Sequence, residues 1–184
     1  NGPCFSPDGR TLYFADSRAR CIYAYDYDIA SGCVLSRRIF TTFEEHLRGW
    51  PDGATVDAEG FVWSAEVFGG RLVRFAPDGT IDRLVGMPVD SITSLSFGGA
   101  DLDILYVTSM ARPFHCRPRQ EKEAGGLFAV YGLGVRGGIG PCDIGLTDGR
   151  PMPNSLGEVS VELDVISVQA GPASIVGVAG GSSL

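Results

Sequence analysis

The chain has 184 residues, 44% of them hydrophobic and 20% charged, with a net charge of −7. That length and balance fit one globular domain with a sizeable core and exclude global disorder. The acidic balance argues against nucleic acid as a partner, because phosphate binding needs clustered Lys and Arg and the basic residues are scattered outside 112–122.

The 26 glycines and 11 prolines point to many turns between short strands. No run of 18 apolar residues is present, so no membrane partner is expected. Cys4, Cys21, Cys33, Cys116 and Cys142 make an odd set without a Cys-x-x-Cys pair. That is neither a disulfide framework nor a zinc site, and a reducing, cytoplasmic location is the simpler expectation. Cys4 and Cys21 fall in strand-like runs and read as small core residues. The first residue is not Met and the sequence starts inside a motif, so a piece of a longer chain is expected, with any targeting signal beyond its reach.

In chain order, residues 4–6 read as a short strand, Pro7-Asp8-Gly9-Arg10 as a turn, and residues 11–16 as a second strand. Residues 22–27 alternate as a third, and residues 34–40 supply a fourth. Residues 51–90 repeat this plan. Gly53-Ala54-Thr55-Val56 aligns with Gly2-Pro3-Cys4-Phe5, and residues 61–66 align with 11–16. A third unit starts at residues 94–97, continues at 104–109 and, after a charged excursion over 111–125, at 126–131. Repeats of about 40–50 residues with four strands each define the blades of a β-propeller. The fold expected is therefore all-β, three blades over 1–50, 51–90 and 91–137, with a divergent tail over 138–184. In that tail residues 158–165 alternate like one half-buried strand, and the last eight residues are small and flexible in composition. Three blades cannot close a ring, so the missing blades are expected from upstream sequence. The chain alone is expected to be inactive and poorly stable, with open sheet faces.

The repeat aligns Asn1 with Asp52. Loops entering the innermost strands of a propeller gather at one face, which aims an amide oxygen and a carboxylate at the same axis. Oxygen donors of this kind suit Ca²⁺, Mg²⁺ or Mn²⁺, and Zn²⁺ also accepts carboxylates. Such an ion would act as a Lewis acid on a carbonyl while a carboxylate serves as base for water. Pro51-Asp52-Gly53 reads as a tight turn in which Gly53 takes φ > 0, and an ordinary Asp turn is the plain alternative. Thr93 or Ser94 takes the equivalent place in the third unit and would only line the pocket. His46 and His115 read as solvated loop residues, since no second ligand stands at a zinc spacing. Phe61, Trp63, Tyr13, Phe14, Tyr106 and Phe128 recur at strand positions and are expected to pack the blades.

The run from Asn1-Gly2-Pro3 through Asp16-Ser17, then Tyr25-Asp26-Tyr27-Asp28, Pro51-Asp52-Gly53, the run from Phe97-Gly98-Gly99 to Thr108-Ser109, and Gly125-Gly126-Leu127-Phe128 resemble the senescence-marker-protein/gluconolactonase/luciferin-regenerating-enzyme (regucalcin-like) family over roughly residues 1–137. The resemblance implies a six-bladed propeller with one divalent metal ion in its tunnel and a small-molecule sugar lactone as substrate. It puts the metal-ligand asparagine on Asn1 and the metal-ligand aspartate, also the catalytic general base, on Asp52. It implies a third ligand, a glutamate, and substrate-binding Arg and Asn residues upstream. A propeller that binds calcium or a partner protein without turnover is the alternative.

Overall fold

The structure is a computed structural model that describes residues 1–43, 47–111 and 121–138, together with strands 163–170 and 173–180. Strands β1 (Cys4–Phe5), β2 (Thr11–Asp16), β3 (Cys21–Asp28) and β4 (Cys33–Thr42) form an antiparallel meander in chain order. Strands β5 (Trp50–Val56), β6 (Val62–Val67), β7 (Arg71–Phe75) and β8 (Ile81–Gly86) repeat it. The third sheet has β9 (Ile92–Gly98), β10 (Ile104–Ser109) and β11 (Leu127–Tyr131), followed not by the next strand in sequence but by β13 (Ala173–Gly180) and then β12 (Leu163–Ala170). Three sheet blocks of this kind are the expected partial β-propeller. Among the described residues no helix is long and apolar enough to cross a membrane.

The tail departs from its expectation. Strand β12 is described from Leu163, within the stretch read as a strand, and β13 takes up half of the last eight residues, the end read as flexible. Residues 158–162 lie outside the described ones, as do 112–120 with His115, and His46. The physical reason is composition. Ile175, Val176 and Val178 favour extended backbone enough to outweigh Gly177 and Gly180 once the free edge of β11 offers partners.

Period-2 alternation builds two apolar layers around the middle sheet. Val62, Val73 and Phe75 face the first sheet, packing with Tyr13, Ile22 and Phe43. Trp63, Ala65 and Leu72 face the third, packing with Leu95, Leu105, Val107 and Phe128. Every residue of β6 is consequently buried. Phe14 is a correction: it is 40% exposed, because its parity turns it with Tyr23 and Ile39 to the face of the first sheet that no described element covers.

Behind Trp63 lies a polar anchor. Asp57 is fully buried, and its Oδ1 accepts the backbone N–H groups of Glu59 and Phe61, each at 3.0 Å. Its Oδ2 accepts the Trp63 indole N–H at 2.9 Å and the Arg74 guanidinium at 2.7 and 2.8 Å. Arg74 also binds Glu59 and Asp82 and lies 3.7 Å over the Phe61 ring. A buried charge set is tolerable when every member is satisfied in this way.

Trp63→Ala removes a fully buried ring and one donor to Asp57, and it should destabilise the protein by about 3–5 kcal/mol. Urea denaturation checks it, and a loss below about 1 kcal/mol would contradict the packing role given to this ring.

Candidate functional site

The inner strands β1, β5 and β9 lie side by side, β1 and β2 against β5, and β5 against β9. Their starts bring the aligned positions of the three repeats to one end. Asp52 does not sit in a turn before a strand, as its sequence suggests. It lies within β5, at a bulge where the register to β6 shifts between Pro51 and Ala54. A bulge re-aims a side chain without ending the strand. Nor does Gly53 use a left-handed φ. Its value is close approach, since a Cβ there would stand 2.4 Å from Ser94 Oγ and 2.5 Å from Ser94 Cα. Gly2, at φ +53°, packs on the other side, where a Cβ would meet Ala54 N at 2.4 Å and the Asp52 carbonyl oxygen at 2.8 Å. Three backbones thus converge on Asp52 and Gly53.

Ser17, at the turn after β2, organises the polar groups. Its hydroxyl donates to the Pro51 carbonyl at 2.7 Å, which leaves its oxygen to accept from Asn1 Nδ2 at 2.8 Å. Directionality therefore fixes the Asn1 amide, whose Oδ1 has no hydrogen-bond partner among the described residues. The Asp52 carboxylate is half-buried, and among the described residues none hydrogen-bonds to it. Burial pushes its carboxyl above the usual aspartate range. Ser94 is exposed beside Gly53, while Thr93 shares its hydroxyl with Thr108 at 2.9 Å. Burial raises the Cys4 thiol to about 12, in keeping with a packing residue rather than a nucleophile.

Two oxygen donors, one fixed amide and one unpartnered carboxylate, fit a hard divalent cation. Among the described residues no group of three or more His, Cys, Asp or Glu clusters for a metal. The groove lined by Arg10, Asp26, Tyr27 and Asp28 lies at the opposite end of the first sheet and takes no part here. Sequence reading gave Ser17 no role. Its signal was the polar residue straight after β2, at the end to which the repeat alignment brings Asn1 and Asp52.

Three stacked antiparallel sheets with polar donors at the inner-strand starts make a partial β-propeller. The SMP-30/Gluconolactonase/LRE-like region family matches residues 1–111, and the chain belongs to that family. Regucalcin of Sus scrofa is 39% identical over 141 residues, covering 74% of this chain and 46% of its own length. Pentonolactonase XacC of Haloferax volcanii is 43% identical over 109 residues, covering 59% of this chain and 37% of its own. The solved structure of a calcium-binding protein, regucalcin, from Agrobacterium tumefaciens str. C58 superposes with a TM-score of 0.65 at 29% identity, covering 75% of this chain and 46% of that one. The chain spans about half the length of the curated regucalcins it matches.

A carboxyl raised by burial holds its proton more tightly folded than unfolded. Its stabilising contribution is present below the ordinary aspartate value of about 3.9 and is lost as pH rises through the folded value. Asp52→Asn should therefore melt no lower than the parent at neutral pH in chelator, and its melting temperature should vary less across the acid range. A clear drop in melting temperature at neutral pH would mark Asp52 as a structural residue of the bulge.

Proposed function

We propose that this chain contributes Asn1 and Asp52 to the site of a metal-dependent lactonase that opens cyclic esters of sugar acids. The observation that carries the reading is the Asp52 carboxylate, held at a strand bulge, half-buried and without a hydrogen-bond partner among the described residues. A carboxylate used only for structure would be saturated, as Asp57 is. Family membership and the lactone-cleaving relative support the same chemistry. In this reading a third ligand and the substrate-orienting residues come from outside these 184 residues.

Asn1 Oδ1 and Asp52 would hold a divalent ion, which would supply Lewis-acid polarisation of the lactone carbonyl. Asp52 takes a proton from the attacking water. The water oxygen bonds to the carbonyl carbon, the ring C–O bond breaks, and the departing ring oxygen takes the proton from Asp52 to become a hydroxyl. The product is an open-chain hydroxy acid. Ser17 keeps the Asn1 amide from rotating. Calcium, zinc, magnesium and manganese all suit this donor pair.

Lactone opening followed with a pH indicator should be lost on chelation and restored by a divalent ion. Asp52→Asn should lower kcat by about 10²-fold or more, the scale of a lost acid–base group. The second reading, calcium binding without turnover, is favoured by the calcium-binding relative. Calcium binding with no lactone opening in the protein would establish it in place of the first.

A further inference from the structure

The end of the molecule that holds Asp52 also carries two aromatic rings that the proposed chemistry leaves unused. Trp50 opens β5 and is 38% exposed. Its ring meets Phe68 edge to face, with centroids 5.6 Å apart and planes at 88°. Phe68 follows β6 at φ +65°. A bulky side chain rarely takes that left-handed conformation, and it persists only where the surroundings over-determine it.

The surroundings here are built on Glu66. This carboxylate is fully buried in a strand that is otherwise apolar except for Ser64. Its Oε1 accepts the N–H of Gly49, the residue before Trp50, at 2.7 Å, and Arg71 Nε donates to its Oε2 at 2.7 Å. Its backbone carbonyl accepts the N–H of Gly69, the residue after Phe68, at 3.1 Å. The two backbones touch. A Cβ on Gly49 would lie 2.7 Å from Gly69 N, and one on Gly69 would lie 2.4 Å from Glu66 Oε1. Glu66 therefore fixes the chain on both sides of the aromatic pair, by its carboxylate before Trp50 and by its backbone carbonyl after Phe68. An ion pair in this position adds little net stability, so its effect is to hold geometry.

We propose that Trp50 and Phe68 form an aromatic wall of the ligand pocket at Asp52, with Glu66 as their positioning residue, and that the wall packs against the C–H face of a cyclic polyhydroxylated ligand. Trp50 stands two residues before Asp52 on one strand. Because Trp50 pairs with Val67 and Pro51 with Glu66, the turn bearing Phe68 shares its end of the sheet. A saturated ring with equatorial hydroxyls keeps an apolar face of weakly positive C–H groups, which complements the negative face of an indole. Pockets for small molecules combine such apolar walls with a few polar groups, supplied here by Asn1 and Asp52. The consequence for turnover rests on the lactonase reading, whereas the binding itself does not.

The two tryptophans are Trp50 and Trp63, and Trp63 is fully buried, so a ligand-dependent change in emission reports Trp50. The probe is 1,5-anhydroglucitol, a sugar ring that contains no ester. A saturable emission change is expected with the parent protein. Phe68→Gly relieves the left-handed strain, so it should melt no lower than the parent yet bind the probe about tenfold more weakly, the scale of one lost aromatic contact. Glu66→Ala should weaken binding similarly, while Glu66→Gln, which keeps an acceptor for Gly49, restores it. Trp50→Ala should raise KM for glucono-1,5-lactone about tenfold with little change in kcat, and leave KM for unsubstituted δ-valerolactone unmoved. An emission response without lactone opening supports the wall and sinks only the lactonase reading. Lactone opening with no emission change, and with KM unmoved in Trp50→Ala, overturns the wall.

Discussion

The ion pair between Asp57 and Arg74 is the constraint on which the middle sheet depends. Asp57 follows the innermost strand of that sheet and Arg74 lies on its third strand, so their contact spans the sheet beneath the Phe61 and Trp63 rings. By binding the amides of Glu59 and Phe61, the same carboxylate sets the turn that brings β6 back along β5. The register of β5 against β6 is thereby fixed at its far end. The irregularity falls at the near end, between Pro51 and Ala54. The return of residues 136–138 to this corner, through Ala58 N–H to Arg136 and the Asp57–Gly137 bridge, ties the third sheet to the same point.

Two aspartates on one stretch of chain therefore have opposite fates. Asp57 accepts five donor contacts and is sealed from water. Asp52 accepts none among the described residues and is only half-buried. The protein keeps one carboxylate saturated for structure and leaves the other with unused acceptor capacity. Folding offers nothing in return for the second, because desolvating a carboxylate without partners is unfavourable.

Much of this was legible in the sequence because short antiparallel strands announce themselves locally. Residues 11–16 and 104–109 alternate cleanly and are bounded by turn residues, and their strands fall where the pattern puts them. The equivalence of Asn1 and Asp52 also came from repeat alignment, and the structure brings them to one end. What stayed hidden depends on contacts between repeats. Pro51-Asp52-Gly53 carries turn residues, yet the approach of Ser94 and Gly2 keeps it extended, and only tertiary packing settles that competition. Ser17, Glu66 and Trp50 act through residues distant in sequence. Glu66 left one trace, a charge within an otherwise buried strand. The open face bearing Phe14 could not be separated from its buried neighbour Tyr13, because both are aromatic and only parity distinguishes them.

The third sheet adds a kinetic consequence. In the first two sheets each strand pairs with the next in sequence, so hairpins zip up with little loop to close. In the third, Tyr131 waits for Ser174 and Leu127 for Val178. The hairpin of β12 and β13 is itself local, and it forms on its own timescale of microseconds to tens of microseconds. Its docking must bear the entropy of closing the long connecting segment, a cost that grows logarithmically with length. The outer margin of the third sheet is thus the last part of the molecule to assemble. It should also open first, with the β11 amide hydrogens bonded to β13 exchanging through that local opening while those of β6 wait for global unfolding.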